Sequence, residues 1–137
     1  MHKTVDAQCQ CGQVSYTLAQ APDPVLACHC RECQTLSTAP FSVTAVVPAH
    51  AVTFRGEMGT FQRIAESGNT NVARFCTGCG NRIYHYNPDS PETIKLKLKP
   101  AGPEYSDWFT PSLHVWVQEK PSWYKLPQGL PAYDTVP

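Results

Sequence analysis

Apolar and polar residues alternate along much of this chain, the spacing that sends successive side chains to opposite faces of a strand. In Val14-Ser15-Tyr16-Thr17-Leu18 the apolar side chains share one face. Thr93-Ile94-Lys95-Leu96-Lys97-Leu98-Lys99 alternates more cleanly still. The pattern predicts strands over 13–18, 41–47, 52–54, 60–65, 71–75, 82–86, 93–99 and 113–117. Lys95, Lys97 and Lys99 should face water, as on a sheet covered on one side only. A turn containing Pro48 joins 41–47 to 52–54, and Gly68-Asn69 suits a hairpin between 60–65 and 71–75. Only 30–36 could form a helix, of about two turns. The thirteen prolines would break longer ones. The expected class is mainly β: antiparallel sheets around one core, with at most one short helix, in a single domain spanning 1–137.

Composition narrows the function classes. The 137 residues carry 11 basic and 11 acidic side chains, a formal charge of zero. That balance makes no electrostatic footprint for nucleic acid or an anionic membrane, and a small polar metabolite is the easier partner. There is no apolar N-terminal run of signal-peptide length and no stretch approaching 18 apolar residues. A cytoplasmic, reducing location is expected.

The seven cysteines change the picture most. They fall in three tight clusters: Cys9-Gln-Cys11, Cys28-His-Cys30-Arg-Glu-Cys33 and Cys76-Thr-Gly-Cys79. An odd, clustered set suits thiolate ligation better than disulfide pairing. Ligands two or three residues apart can reach one ion from a single turn, so each cluster is locally competent. The outer clusters also echo each other, each being a cysteine pair, a glycine (Gly12, Gly80) and then a strand. Two such loops facing one another would supply four thiolates to one tetrahedral zinc: Cys9, Cys11, Cys76 and Cys79. The middle cluster then forms a second zinc site of three ligands, Cys28, Cys30 and Cys33. An open fourth position there could accept an incoming thiol and lower its pKa. His85 and His114 are candidate fourth ligands, whereas His29, between two cysteines, should point its ring away.

Three stretches then become familiar: Cys-x-Cys-Gly-x-Val-x-Tyr at 9–16, Cys-His-Cys-x-x-Cys at 28–33 and Phe-Cys-x-x-Cys-Gly-x-x-x-Tyr at 75–84. Together they resemble the glutathione-dependent formaldehyde-activating enzyme family. His114-Val-Trp116, Trp123 and Leu130-Pro-Ala-Tyr133 also look like its closing segment. The resemblance implies a zinc-binding β-tent fold. It implies a structural zinc on Cys9, Cys11, Cys76 and Cys79, and a more labile zinc on Cys28, Cys30 and Cys33 near a glutathione site. It implies a carbon–sulfur lyase that forms or cleaves S-hydroxymethylglutathione or a related thiol–aldehyde adduct, with a small thiol and an aldehyde as partners. Ser37-Thr38-Ala39 stands where the family commonly has Ser-Gly-Ala, and 100–107 departs from the family's usual stretch after the lysine-rich strand.

Glutathione carries two carboxylates, so a cation should wait near the open site. Arg31, inside the middle cluster, and Arg82, after the last one, are the candidate contacts. Phe41 and Trp108 are candidate walls of a pocket, Trp116 is read as core, and Tyr16 and Tyr84 should pack beside the cysteine loops. The alternative to an enzyme is a zinc-stapled β domain that binds a small thiol or a protein partner without turnover. The sequence leaves the oligomeric state open.

Overall fold

The computed structural model describes residues 3–137. Among these residues ten strands form two sheets. The smaller has three: β1 (Val5–Gln8), β2 (Ser15–Leu18) and β5 (Val52–Arg55), in the order β1-β2-β5. The larger has seven: β3 (Val25–Cys28), β4 (Ser42–Pro48), β6 (Met58–Ile64), β7 (Thr70–Cys76), β8 (Arg82–Tyr86), β9 (Thr93–Leu96) and β10 (Leu113–Val115). Their order across the sheet is β10-β3-β4-β9-β8-β7-β6. Every pairing is antiparallel except β10 with β3, where Val115 sits opposite Cys28.

Alternation places the core. Tyr16 and Leu18 of β2, Val5 and Ala7 of β1, Ala45 and Val47 of β4 and Ile94 and Leu96 of β9 are buried in one cluster shared by the two sheets. A smaller cluster of Cys9, Val14, Cys76 and Ile83 continues it beneath the outer cysteine loops. Tyr16 is fully buried, and its hydroxyl donates to Leu98 O at 2.7 Å. The phenol is thereby satisfied, and burial pushes its pKa upward.

Mainly β is the class observed, and the eight expected strands are all present. Two more were not expected. β1 and β3 are four residues each, and in both the apolar run merges into a cysteine cluster. The helix expected at 30–36 is α1 (Arg31–Ser37). A second short helix, α2 (Pro103–Trp108), corrects the expectation of one at most. Gly102 at φ 83 turns the chain into it and Pro103 occupies its first turn, where proline's missing N–H costs nothing. Strand 113–117 stops at Val115 because Trp116 enters the left-handed region at φ 56. Trp116 is half-buried rather than core. The turn after Pro48 is one turn of 3-10 helix over Ala49–Ala51. The Gly68 turn closes with Ala65 N donating to Asn69 O at 2.8 Å and Gly68 N to Ala65 O at 2.9 Å.

One glycine joins the sheets. Gly56, between β5 and β6, sits at φ 103, and a Cβ there would lie 1.9 Å from the Gln13 carbonyl oxygen. Gly56→Ala is expected to destabilise the protein by more than about 2 kcal/mol, through left-handed strain and a backbone clash together. Urea denaturation of the zinc-loaded variant beside the parent measures this.

Candidate functional site

The two outer loops share one backbone scheme. Cys9 N donates to Val14 O and Cys76 N donates to Asn81 O, each at 2.9 Å. Gly12 N returns to Cys9 O and Gly80 N to Cys76 O, at 3.0 and 2.9 Å. Gly12 and Gly80 take φ of 81 and 80, a turn that glycine enters at little cost. The loops aim amides at sulfur: Val14 N reaches Cys9 Sγ at 3.3 Å, and Gly78 N and Cys79 N reach Cys76 Sγ at 3.3 and 3.4 Å. Side chains stitch the loops together. Gln10 N donates to Asn81 Oδ1 at 2.7 Å, and Gln13 Nε2 donates to Thr77 Oγ1 at 2.7 Å and Glu57 O at 3.0 Å.

This brings the sulfurs of Cys9, Cys11, Cys76 and Cys79 within 4.8 Å of one another. Cys9 and Cys11 Sγ are 3.8 Å apart, Cys11 and Cys76 Sγ 3.6 Å. Four thiolates around zinc at about 2.3 Å form a tetrahedron with edges of about 3.8 Å. The donor set and its spacing therefore fit one tetrahedral, thiophilic ion. The Cys79 thiol is held down at about 6, first by the Asn81 backbone N–H and then by that of Cys11.

The middle cluster is built differently. Cys28 ends β3, Cys30 is the N-cap of α1, and Cys33 lies in the helix's first turn. Cys33 N donates to Cys30 Sγ at 3.3 Å, an N-cap made by sulfur in place of oxygen. The C-terminal segment braces the turn. His29 N donates to Val115 O at 3.0 Å, Arg31 N to Glu119 Oε1 at 2.9 Å, and Gln34 Nε2 to both His29 O and Glu119 O at 2.8 Å. The three sulfurs again lie within 4.8 Å of each other and can hold an ion. Negative charge gathers unequally among them. Cys28 and Cys30 stabilise the Cys33 thiolate, with the Lys97 ammonium adding to the effect, and Cys33 is pushed well down. Cys28 is pushed up by Cys30, Cys33 and burial.

Neither candidate fourth ligand joins these sulfurs. His114 Nδ1 lies 3.0 Å from His29 Nε2, and the His29 ring packs against Phe41 and Tyr124. His85 accepts from Arg82 Nη1 through Nε2 at 3.1 Å, with the Asn71 amide 3.3 Å from its Nδ1. Burial, then the charges of Lys97 and Arg82, hold His85 down at about 3, so the ring is neutral.

Beside Cys33 opens a cleft of about 330 Å³, walled by Leu36, Ser37, Phe41, Ser42, Asn81 and Arg82, with Lys97 and Lys99 completing its cationic side. Arg82 and Phe41 thus line it. Arg31 is exposed on α1 and is not among the walls, and Trp108 lies at the core's edge beneath Lys3. The lysines correct the expectation of a solvated face. Only Lys95 is exposed; Lys97 and Lys99 are half-buried. Lys97 N and Leu98 N both donate to Ile83 O, at 2.9 and 3.0 Å, a bulge at the strand's end. Lys97 keeps to the face away from the core, the face that carries Thr44, and Cys33 of α1 meets it there. Ser42 and Thr44, two hydroxyls in an apolar run, were the available signal, because they receive Lys97 Nζ at 3.4 and 2.7 Å.

The family model described as glutathione-dependent formaldehyde-activating enzyme matches residues 4–119. A crystal structure of a Rhodobacter sphaeroides protein superposes with a TM-score of 0.54 at 18% identity, over 72% of this chain and 92% of that one. At that identity the likeness speaks to the fold alone. No curated protein matches.

The departure at Thr38 has a structural counterpart. Thr38 is the C-cap of α1, at φ 49 and ψ 42, a left-handed position where a β-branched residue is strained. Thr38→Gly is expected to stabilise the protein by about 1 kcal/mol, seen as a raised thermal midpoint of the zinc-loaded form.

Proposed function

The chain belongs to the glutathione-dependent formaldehyde-activating enzyme family, and on that footing we propose that it is a zinc-dependent carbon–sulfur lyase and synthase, forming or cleaving S-hydroxymethylglutathione or a related thiol–aldehyde adduct. One observation carries the reading: a three-thiol cluster stands beside a cationic cleft. Cleft volumes of about 300 Å³ lie at the small end of those that take metabolites.

In this reading Cys9, Cys11, Cys76 and Cys79 hold a structural zinc, and Cys28, Cys30 and Cys33 hold a second, more labile one. The second zinc would supply an open position at which a thiol binds and loses its proton. The chain's own groups do the rest. Lys97 offsets the charge of the cluster through Cys33 Sγ, at 3.9 Å. Arg82, steadied by neutral His85 and stacked on Phe61, offers its remaining N–H groups to a carboxylate. Phe41 gives the cleft an apolar wall. The deprotonated sulfur adds to the aldehyde carbon, forming the C–S bond while the thiol proton passes to the carbonyl oxygen; cleavage is the reverse. Free thiols of this kind persist in a reducing compartment, consistent with a cytoplasmic setting.

Zinc-loaded protein should accelerate exchange between glutathione, formaldehyde and their adduct, followed by exchange spectroscopy; background rates across several thiols would sink the enzyme reading. In the same assay, replacing Cys28, Cys30 and Cys33 together by serine should abolish the acceleration while leaving a folded protein, whereas unfolding would assign that cluster to structure. Arg82→Gln should raise KM about tenfold for glutathione and leave an uncharged thiol such as mercaptoethanol unaffected.

A further inference from the structure

Two lysines end in the same cleft, and their surroundings differ. Lys97 Nζ has three acceptors: Thr44 Oγ1 at 2.7 Å, Ser42 Oγ at 3.4 Å and Cys33 Sγ at 3.9 Å. Three acceptors engage all three hydrogens of an ammonium, and the thiolate opposes its charge. Lys99 Nζ has two acceptors, both backbone carbonyls: Val43 O at 2.7 Å and Lys97 O. Two acceptors engage both hydrogens of a neutral amine and leave its lone pair as the direction not taken up. Lys99 forms part of the cleft wall. No carboxylate pairs with it; the ion pairs among the described residues are Lys3 with Asp107 and Arg63 with Glu32. Burial first, then the like charge of Lys97, hold its ammonium down at about 8. That leaves roughly one Lys99 in ten neutral at pH 7, against roughly one in a few thousand for an ordinary lysine.

We propose that Lys99 is a nucleophile that captures the aldehyde covalently inside the cleft, next to the bound thiol. This rests on the thiol–aldehyde reading of the same cleft. The amine nitrogen adds to the carbonyl carbon, and a proton moves from nitrogen to the former carbonyl oxygen, giving a carbinolamine. The proton released by the thiol carries that oxygen away as water, leaving a protonated imine on Lys99. The thiolate adds to the imine carbon, forming the C–S bond. Water then replaces Lys99 on that carbon, the C–N bond breaks, and the amine is regenerated as the hydroxyalkyl thioether leaves. The sum is one aldehyde and one thiol to one adduct, with no external oxidant or reductant. A desolvated amine beside a second cation is the usual way to obtain a lysine reactive toward carbonyls, and here Lys97 is that second cation.

The test uses the zinc-loaded native chain, limiting formaldehyde and cyanoborohydride at pH 7, with fragmentation mass spectrometry locating each methyl group. Exposed Lys95 and Lys125 serve as internal references. The expected result is Lys99 methylated at least about tenfold faster than either. A smaller ratio, or label confined to exposed lysines, overturns the proposal. The exchange assay, run in parallel on the same preparation, keeps the two ideas separate. Exchange without preferential Lys99 label rejects the capture step and retains the lyase. Preferential label without exchange retains the capture step and rejects the lyase.

Discussion

The convergence of four sulfurs from two sheets is the constraint on which the rest of this molecule depends. Cys9 and Cys11 follow β1 in the small sheet, and Cys76 and Cys79 connect β7 to β8 in the large one. Among the described residues no backbone ladder joins the sheets; their strand pairings are separate. What joins them is the shared core, the Gln13 and Gln10 stitches, Gly56 against Gln13, and this knot. Cys11 Sγ sits 3.6 Å from Cys76 Sγ and 3.8 Å from Cys9 Sγ, too close for the four thiols to become anions without a cation between them. A tetrahedral ion would satisfy both the charge and the geometry, and would fix the angle between the sheets where the loops meet. The apolar core need then supply only packing, and strands of four residues suffice.

The middle cluster obeys the opposite logic. Its three sulfurs come from one short stretch, so they do not tie distant parts of the chain together. Instead the chain is arranged to hold them: Glu119 and Gln34 brace the turn, and β10 lies parallel to β3 behind it. The sheet beside them departs from apolar patterning just there. β4 sends Ala45 and Val47 into the core, while Ser42 and Thr44, also buried, turn to the lysines. A buried hydroxyl pair and two half-buried lysines are costly unless their bonds are made. All of these polar groups are paired, and what the arrangement yields is a positive wall beside a cluster of thiols.

Much of this was legible in the residues, for identifiable reasons. A period of two is a strong signal where one face is buried, so β2, β8 and the start of β9 could be read directly. The two cysteine groups that could hold an ion were legible because an odd number of cysteines, set two and three residues apart, suits thiolate ligation better than pairing. β1 and β3 were missed because four residues leading into a cysteine turn carry too little alternation. α2 was missed because its signals, Gly102 and Pro103, also mark a loop. Lys97 and Lys99 were misread for a deeper reason. Their alternation with Leu96 and Leu98 is real and keeps them off the core, but the face they occupy is not open to water: Thr44 of β4 and Cys33 of α1 meet Lys97 there. Nothing in the lysines themselves announces it; the hydroxyls of a different strand do.

Two lysines that share a strand end and a cleft differ in what they reach. Lys97 reaches across to Thr44 and Cys33. Lys99, one step beyond, folds back on Val43 O and on Lys97 O, neutral acceptors that do not offset a buried charge in full. The like charge of Lys97 adds to burial in holding the Lys99 ammonium down. The same asymmetry recurs among the three cysteines, where Cys33 carries the negative charge, held there by its two sulfur neighbours and by Lys97 facing it. Charge on one strand and charge on one helix therefore meet in a single contact, Lys97 Nζ to Cys33 Sγ, beside the wall that Lys99 completes.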